Sequence, residues 1–152
     1  MYEVIEHLQN AMEPFERDVR ALHEKAEELV VEWQLWKEGE HKNRPSSEGT
    51  RMSLVVTWDK RTQGFVAHWV KGTYANVEKG IFRSRYLKRP KGAHRYTKDT
   101  LQRACEPWAF DKLWEIEERL AEIRRQYSAL ANVRKVMRTF IAVHGKDEEP
   151  TR

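Results

Sequence analysis

The sequence contains a single cysteine, Cys105. One thiol excludes an intramolecular disulfide and any cysteine-based zinc cluster. Glycine is equally thinly spread: Gly72, Gly80 and Gly92 fall in different turns, so no glycine-rich phosphate loop can form. The histidines, His7, His23, His41, His68, His94 and His144, show no metal-ligand spacing. A metal-dependent nuclease needs several carboxylates converging on its ions. The acids nearest the basic centre are Asp59, Glu78 and Asp99, with Glu48 in the flanking linker, and their spacing does not suggest such a site. Tyr74, Tyr86 and Tyr96 have the chemistry to attack a phosphodiester, but no histidine-rich motif accompanies them to hold a metal. No stretch approaches the roughly 18 apolar residues of a membrane span. The N-terminal segment also lacks the basic head and apolar run of a secretory signal. The expectation is a cytoplasmic, non-enzymatic protein without cofactor, metal or membrane partner.

What is present is charge, and it is sorted by sign. Residues 1–40 carry 4 Lys/Arg against 11 Asp/Glu, residues 41–104 carry 15 against 4, and residues 105–152 carry 9 of each. A solvated surface alone does not need its signs segregated in this way. The basic middle either faces phosphates or neutralises the acidic arm, within the chain or across a dimer. With six Trp, five Tyr and five Phe in 152 residues, the chain has the material for one real core and is not a disordered polyampholyte.

Apolar residues at Met1, Ile5, Leu8, Met12, Phe15, Val19, Leu22, Ala26, Leu29, Trp33 and Trp36 are spaced four and three apart. That is a heptad pattern, and it predicts an acidic helix over residues 1–38, kinked or broken near Pro14 and ended by Gly39. Residues 39–51 read as a linker. The period then changes to two: Leu54, Val56 and Trp58, then Phe65, Ala67 and Trp69, predict a hairpin around the loop at 59–64. Residues 71–80 read as a second loop, 81–89 as a third strand, and 93–98 as a short fourth strand. Asp99 and Thr100 are candidate caps of a short helix, and Pro107 opens a long one. In that helix Leu113, Ile116, Leu120, Ile123, Tyr127 and Leu130 form a stripe that Val133, Met137 and Phe140 continue. The boundaries are therefore 1–38 helix, 39–51 linker, 52–104 basic β-rich region, 105–142 helix and 143–152 tail. The fold class is α+β, with two long amphipathic helices flanking a small antiparallel β unit. An antiparallel coiled-coil pairing of those helices, in one chain or in a homodimer, is the economical arrangement.

Candidate binding residues lie in the basic region. Arg83, Arg85, Lys88, Arg89, Lys91, Arg95, Lys98 and Arg103 are interleaved with Phe82, Tyr86 and Tyr96. In a strand, Arg83, Arg85 and Leu87 share one face, and the two arginines step about 6.6–6.8 Å, close to a phosphate repeat. Lys60, Arg61 and Lys71 widen the footprint, and Tyr86 and Tyr96 are the stacking candidates. The KRPKG turn at 88–92 places three charges at a tip suited to a DNA backbone or minor groove. Residue chemistry alone does not separate DNA from RNA.

Four segments, VEWQLWKEG at 31–39, the SLVVTWDK and FVAHWVK strands, IFRSRYLKRPKGAHRYTK at 81–98 and LAEIRRQYSALANVRKVMRTF at 120–140, are similar to the MobI family of conjugative transfer proteins. The resemblance implies an accessory DNA-binding role at a plasmid-type origin of transfer, recruiting or positioning a relaxase on double-stranded DNA. The alternatives are a dimeric transcriptional or partition-type DNA binder, and an adaptor whose basic surface meets an acidic protein.

Overall fold

The computed structural model describes residues 2–76 and 80–145. It contains α1 (Tyr2–His41), β1 (Met52–Asp59), β2 (Gly64–Asn76), β3 (Ile81–Tyr86), α2 (Lys98–Ala104) and α3 (Pro107–Gly145). The strands form one antiparallel sheet in the order β1-β2-β3. Both helices and the inner face of the sheet share a single core, in which Trp33, Trp69, Leu113, Ile116 and Leu120 are among the fully buried side chains.

The heptad stripe of α1 is the face that is buried: Ile5, Val19, Leu22, Ala26, Leu29 and Trp33 all point into the protein. The helix pairs with α3 inside the same chain. Arg138 on α3 meets Glu16 at 3.2 Å, and Arg119 meets Glu32 at 2.6 Å. The partner numbers fall on α3 as they rise on α1, so the two helices are antiparallel. The acidic helix is thus bridged mainly from α3; among the described residues the basic middle of the chain adds Arg44, which meets Glu40 at 3.6 Å.

Several expectations need correcting. Helix α1 is unbroken through Pro14 and continues past Gly39 to His41. An exposed proline removes one backbone bond, but the buried stripe on either side keeps the helix whole. The linker is anchored: it contains a 3-10 turn at Ser46–Glu48, and the Thr50 amide donates to His41 Nε2 at 3.0 Å. The supposed loop at 71–80 is strand as far as Asn76, and its residues 77–79 lie outside the described residues. Residues 93–98 form no fourth strand. The cap of α2 is Thr97, whose hydroxyl accepts from the Thr100 amide, so Asp99 and Thr100 already lie inside the helix. On α3 the stripe continues through Arg134 and Met137, both buried, while Val133 is exposed.

Arg134 is explained by the edge of β2. Beyond the end of β3 that strand is paired, among the described residues, with β1 alone, and an open edge invites unwanted pairing. Helix α3 covers it with arginines. Arg124 Nε and Nη2 donate to the Ala67 carbonyl at 3.2 and 2.9 Å, and Arg134 donates to the carbonyls of Gln63 and Thr62 at 2.8 and 3.1 Å. Arg124 thus covers the open side of β2, and Arg134 closes the turn that leads into it.

Cys105 caps the end of α2 and is buried. Burial pushes its thiol up to about 12, with Glu106 adding to the rise. The thiolate is the reactive form, so the folded protein should resist iodoacetamide at pH 8 and react fully in denaturant. Rapid stoichiometric alkylation of native protein, followed by mass spectrometry, would contradict this placement.

Candidate nucleic-acid interface

Strand β3 pairs with the far half of β2, setting Arg85 opposite Lys71 and Arg83 opposite Thr73. Residues opposite each other in an antiparallel pair have Cβ atoms about 5 Å apart, and like charges there repel. Among the described residues, no ion pair is made by Lys71, Arg83 or Arg85. The sheet therefore holds a strip of positive charge on the face that nearer the centre carries Trp69 and Ala67 into the core. The other face of the same strands presents Tyr86, 57% exposed, with its ring edge-on to His68 at 4.7 Å.

The chain then turns at 88–92. Gly92 has φ of 78°, a conformation that favours glycine. The Ala93 amide donates to the Pro90 carbonyl, and Arg89 Nη1 donates to the Ala93 carbonyl at 2.6 Å, closing the turn. Arg89 is half-buried and holds the loop together, whereas Lys88 and Lys91 are exposed at the tip.

What fixes this turn against the sheet is a buried polar cluster. Glu117, 0% exposed, accepts from Trp69 Nε1 at 3.0 Å, from the Tyr96 amide at 2.8 Å and from Arg124 Nη1 at 2.9 Å. Arg124, 6% exposed, also donates to the His94 carbonyl at 2.9 Å. The Tyr96 hydroxyl accepts from the Trp69 amide and donates to the Leu87 carbonyl at 3.0 Å, extending the ladder where β3 has ended. A buried ion pair is tolerated when its remaining hydrogen-bonding capacity is filled, as here.

Tyr96 is packed inside this cluster: it is 2% exposed, with Arg124 and Arg89 over its ring at 5.4 and 5.9 Å, and offers no open face for a base to stack on. The other candidates divide into separate groups. Lys71, Arg83 and Arg85 lie together on β2 and β3, and Lys88 and Lys91 follow at the turn. Lys60 and Arg61 sit in the β1–β2 loop, about 24 Å along β2 from Lys71, so they do not join that group. Arg95 and Lys98 lie over the Trp114 ring at 5.7 and 5.9 Å, and Arg103 pairs with Asp99 at 3.2 Å. Glu117 and Arg124 were not singled out from the sequence, although their spacing of seven along α3, just beside the apolar stripe, marks one inward-leaning column.

Among the described residues there is no group of three or more His, Cys, Asp or Glu able to hold a metal. None of the described helices is long and apolar enough to cross a membrane. Fold and site together define a small α+β protein in which two antiparallel helices carry a three-stranded sheet with a cationic end. The chain belongs to the MobI family, of proteins related to conjugative mobilisation; the family, described as MobI protein, matches residues 22–138. No curated protein and no solved structure matches the chain.

Proposed function

We propose that this protein is a non-enzymatic DNA-binding accessory factor of conjugative mobilisation, acting at the origin of transfer to recruit or position a relaxase. The observation that carries the DNA-binding part is the unneutralised strip of Lys71, Arg83 and Arg85, with Lys71 and Arg85 directly paired. Such a pair is unfavourable in the free protein and becomes favourable when phosphates lie across it. Internal neutralisation does not account for it, because among the described residues the ion pairs that bridge α1 to the rest of the fold come from Arg44, Lys112, Arg119 and Arg138, and none from Lys71, Arg83 or Arg85. Lys88 and Lys91 add charge at the turn that follows β3, within reach of a backbone passing the end of the sheet.

The opposite end of the charge distribution suits a protein partner. Glu6, Glu24 and Glu28 remain exposed on α1, away from the basic strip, and offer an acidic docking arm for the relaxase. A homodimer belongs to the same reading. Val133, Val136, Phe140 and Val143 keep heptad spacing along α3, with Val136 69% exposed, beside a cavity of about 630 Å³. Sedimentation equilibrium reads that state directly.

The test is binding of the purified protein to duplexes tiled across its own genetic neighbourhood, against scrambled duplexes. Selective binding beside a relaxase gene supports the transfer-origin role. Selectivity for its own promoter or a repeated site transfers the assignment to a transcriptional or partition protein. No binding at moderate salt leaves the adaptor for an acidic protein.

A further inference from the structure

The face of the sheet opposite the phosphate strip carries a different kind of chemistry. A cavity of about 360 Å³ opens between β2 and the basic turn, lined by His68, Leu87, Lys88, Arg89, Lys91 and Tyr96 among others. That volume is in the range of small-ligand sites. Tyr86 is not part of that lining but lies beside it, 57% exposed, its ring held edge-on against His68, which is part of it. An exposed aromatic fixed by an edge-on neighbour is a preorganised stacking surface, because little rotamer freedom remains to be lost on binding. Among the described residues the ring nitrogens of His68 make no hydrogen bond. Burial, then Arg89 and Arg124, lower its basicity, so the neutral ring offers one donor and one acceptor. Lys88 and Lys91, exposed on the rim, place ammonium groups where the phosphates flanking a base would lie.

We propose that this pocket takes one unpaired nucleobase, stacked on Tyr86 and edge-bonded by His68, with Lys88 and Lys91 on the adjoining phosphates. The ligand class is a nucleotide outside the double helix: one in a single strand, a bulge or a flipped position. A stacked base inside a duplex exposes no face to Tyr86, and a bare phosphate would use neither the tyrosine ring nor a neutral imidazole. The inference rests on the DNA-binding reading above but concerns the other face of the sheet. The two are separable, because Tyr86 takes no part in the duplex phosphate contacts and its stacking, unlike theirs, does not respond to salt.

The experiment compares an intact duplex, the same duplex carrying one bulged 2-aminopurine, and a matching single strand. Each is titrated with wild-type protein and with Tyr86→Ala, Tyr86→Phe and His68→Ala. Wild type should prefer the bulged duplex and quench the 2-aminopurine fluorescence. Tyr86→Ala should weaken binding to the bulged duplex about 5- to 100-fold, the range of one base–aromatic stack. It should leave the intact duplex and its salt slope unchanged, and Tyr86→Phe should restore both preference and quenching. Circular dichroism of each variant guards against loss of fold, which an exposed tyrosine does not threaten. Equal affinity of wild type for bulged and intact duplexes, or an unchanged preference in Tyr86→Ala, overturns the proposal. Tyr86-dependent binding of the single strand and the bulge, without binding of intact duplex, keeps the pocket and removes the duplex reading. Binding to none of the three removes both.

Discussion

Replacing Arg124 by Ala should destabilise the protein by about 3–5 kcal/mol, the usual result of removing one partner of a buried ion pair. At roughly 2–4 °C per kcal/mol for a chain of this size, the thermal midpoint should fall by about 6–20 °C. Glu117 would be left as a fully buried carboxylate with only the Trp69 indole and the Tyr96 amide donating to it. The carbonyls of Ala67 and His94 would lose their donors as well. An isolated buried pair can often be replaced by two apolar residues without loss. Here that rescue should fail, because Glu117→Leu with Arg124→Met strands the Trp69 and Tyr96 N–H groups together with both carbonyls. Arg125→Ala is the control: Arg125 bonds Glu122 in the open, and its loss should leave the midpoint where it was. Calorimetry that finds Arg124→Ala and Arg125→Ala equally stable would show that the cluster does not hold the turn to the sheet.

The second large effect separates function from stability. Arg83→Glu combined with Arg85→Glu should weaken duplex binding about 100-fold or more, since two attractive contacts become repulsive. The fold should not suffer. A glutamate at 85 faces Lys71 and converts a like-charge cross-strand pair into an opposite-charge one, a change of about 0.2–1 kcal/mol in favour of the folded state. An unchanged or slightly raised melting temperature alongside lost binding is the expected signature of a surface kept unfavourable for the sake of its ligand. Oligomeric state should be unaffected, because the exposed stripe of α3 is elsewhere. A variant that loses binding and oligomerisation together would contradict the separate placement of the two surfaces.

The long helices and the hairpin are legible in the sequence because each buries one continuous apolar face. Period seven on α1 and period two on β1 and β2 suffice to find them. The end of the α3 stripe is not legible by hydropathy. Val133 fits the pattern by polarity, yet the buried position is Arg134, whose charge is matched by two carbonyls distant in sequence. Tyr96 misleads for the same reason. An aromatic among arginines reads as a stacking residue, but its hydroxyl completes a strand ladder that becomes visible only once β3 is known to stop at Tyr86. The basic cluster was legible as composition. Its division, with Lys71, Arg83 and Arg85 together and Lys60 and Arg61 distant, depends on strand register, which no linear pattern of charge contains.

Phosphate binding by the cationic end of the sheet is tested most directly by the salt dependence of duplex binding. If Lys71, Arg83, Arg85, Lys88 and Lys91 each meet a phosphate, log K against log salt should fall with a slope of about −4.5. The triple replacement of Lys71, Arg83 and Arg85 by Ala should flatten it by roughly 2.7. Binding that is absent at low salt, or insensitive to salt, or unchanged in slope by that replacement, would contradict it.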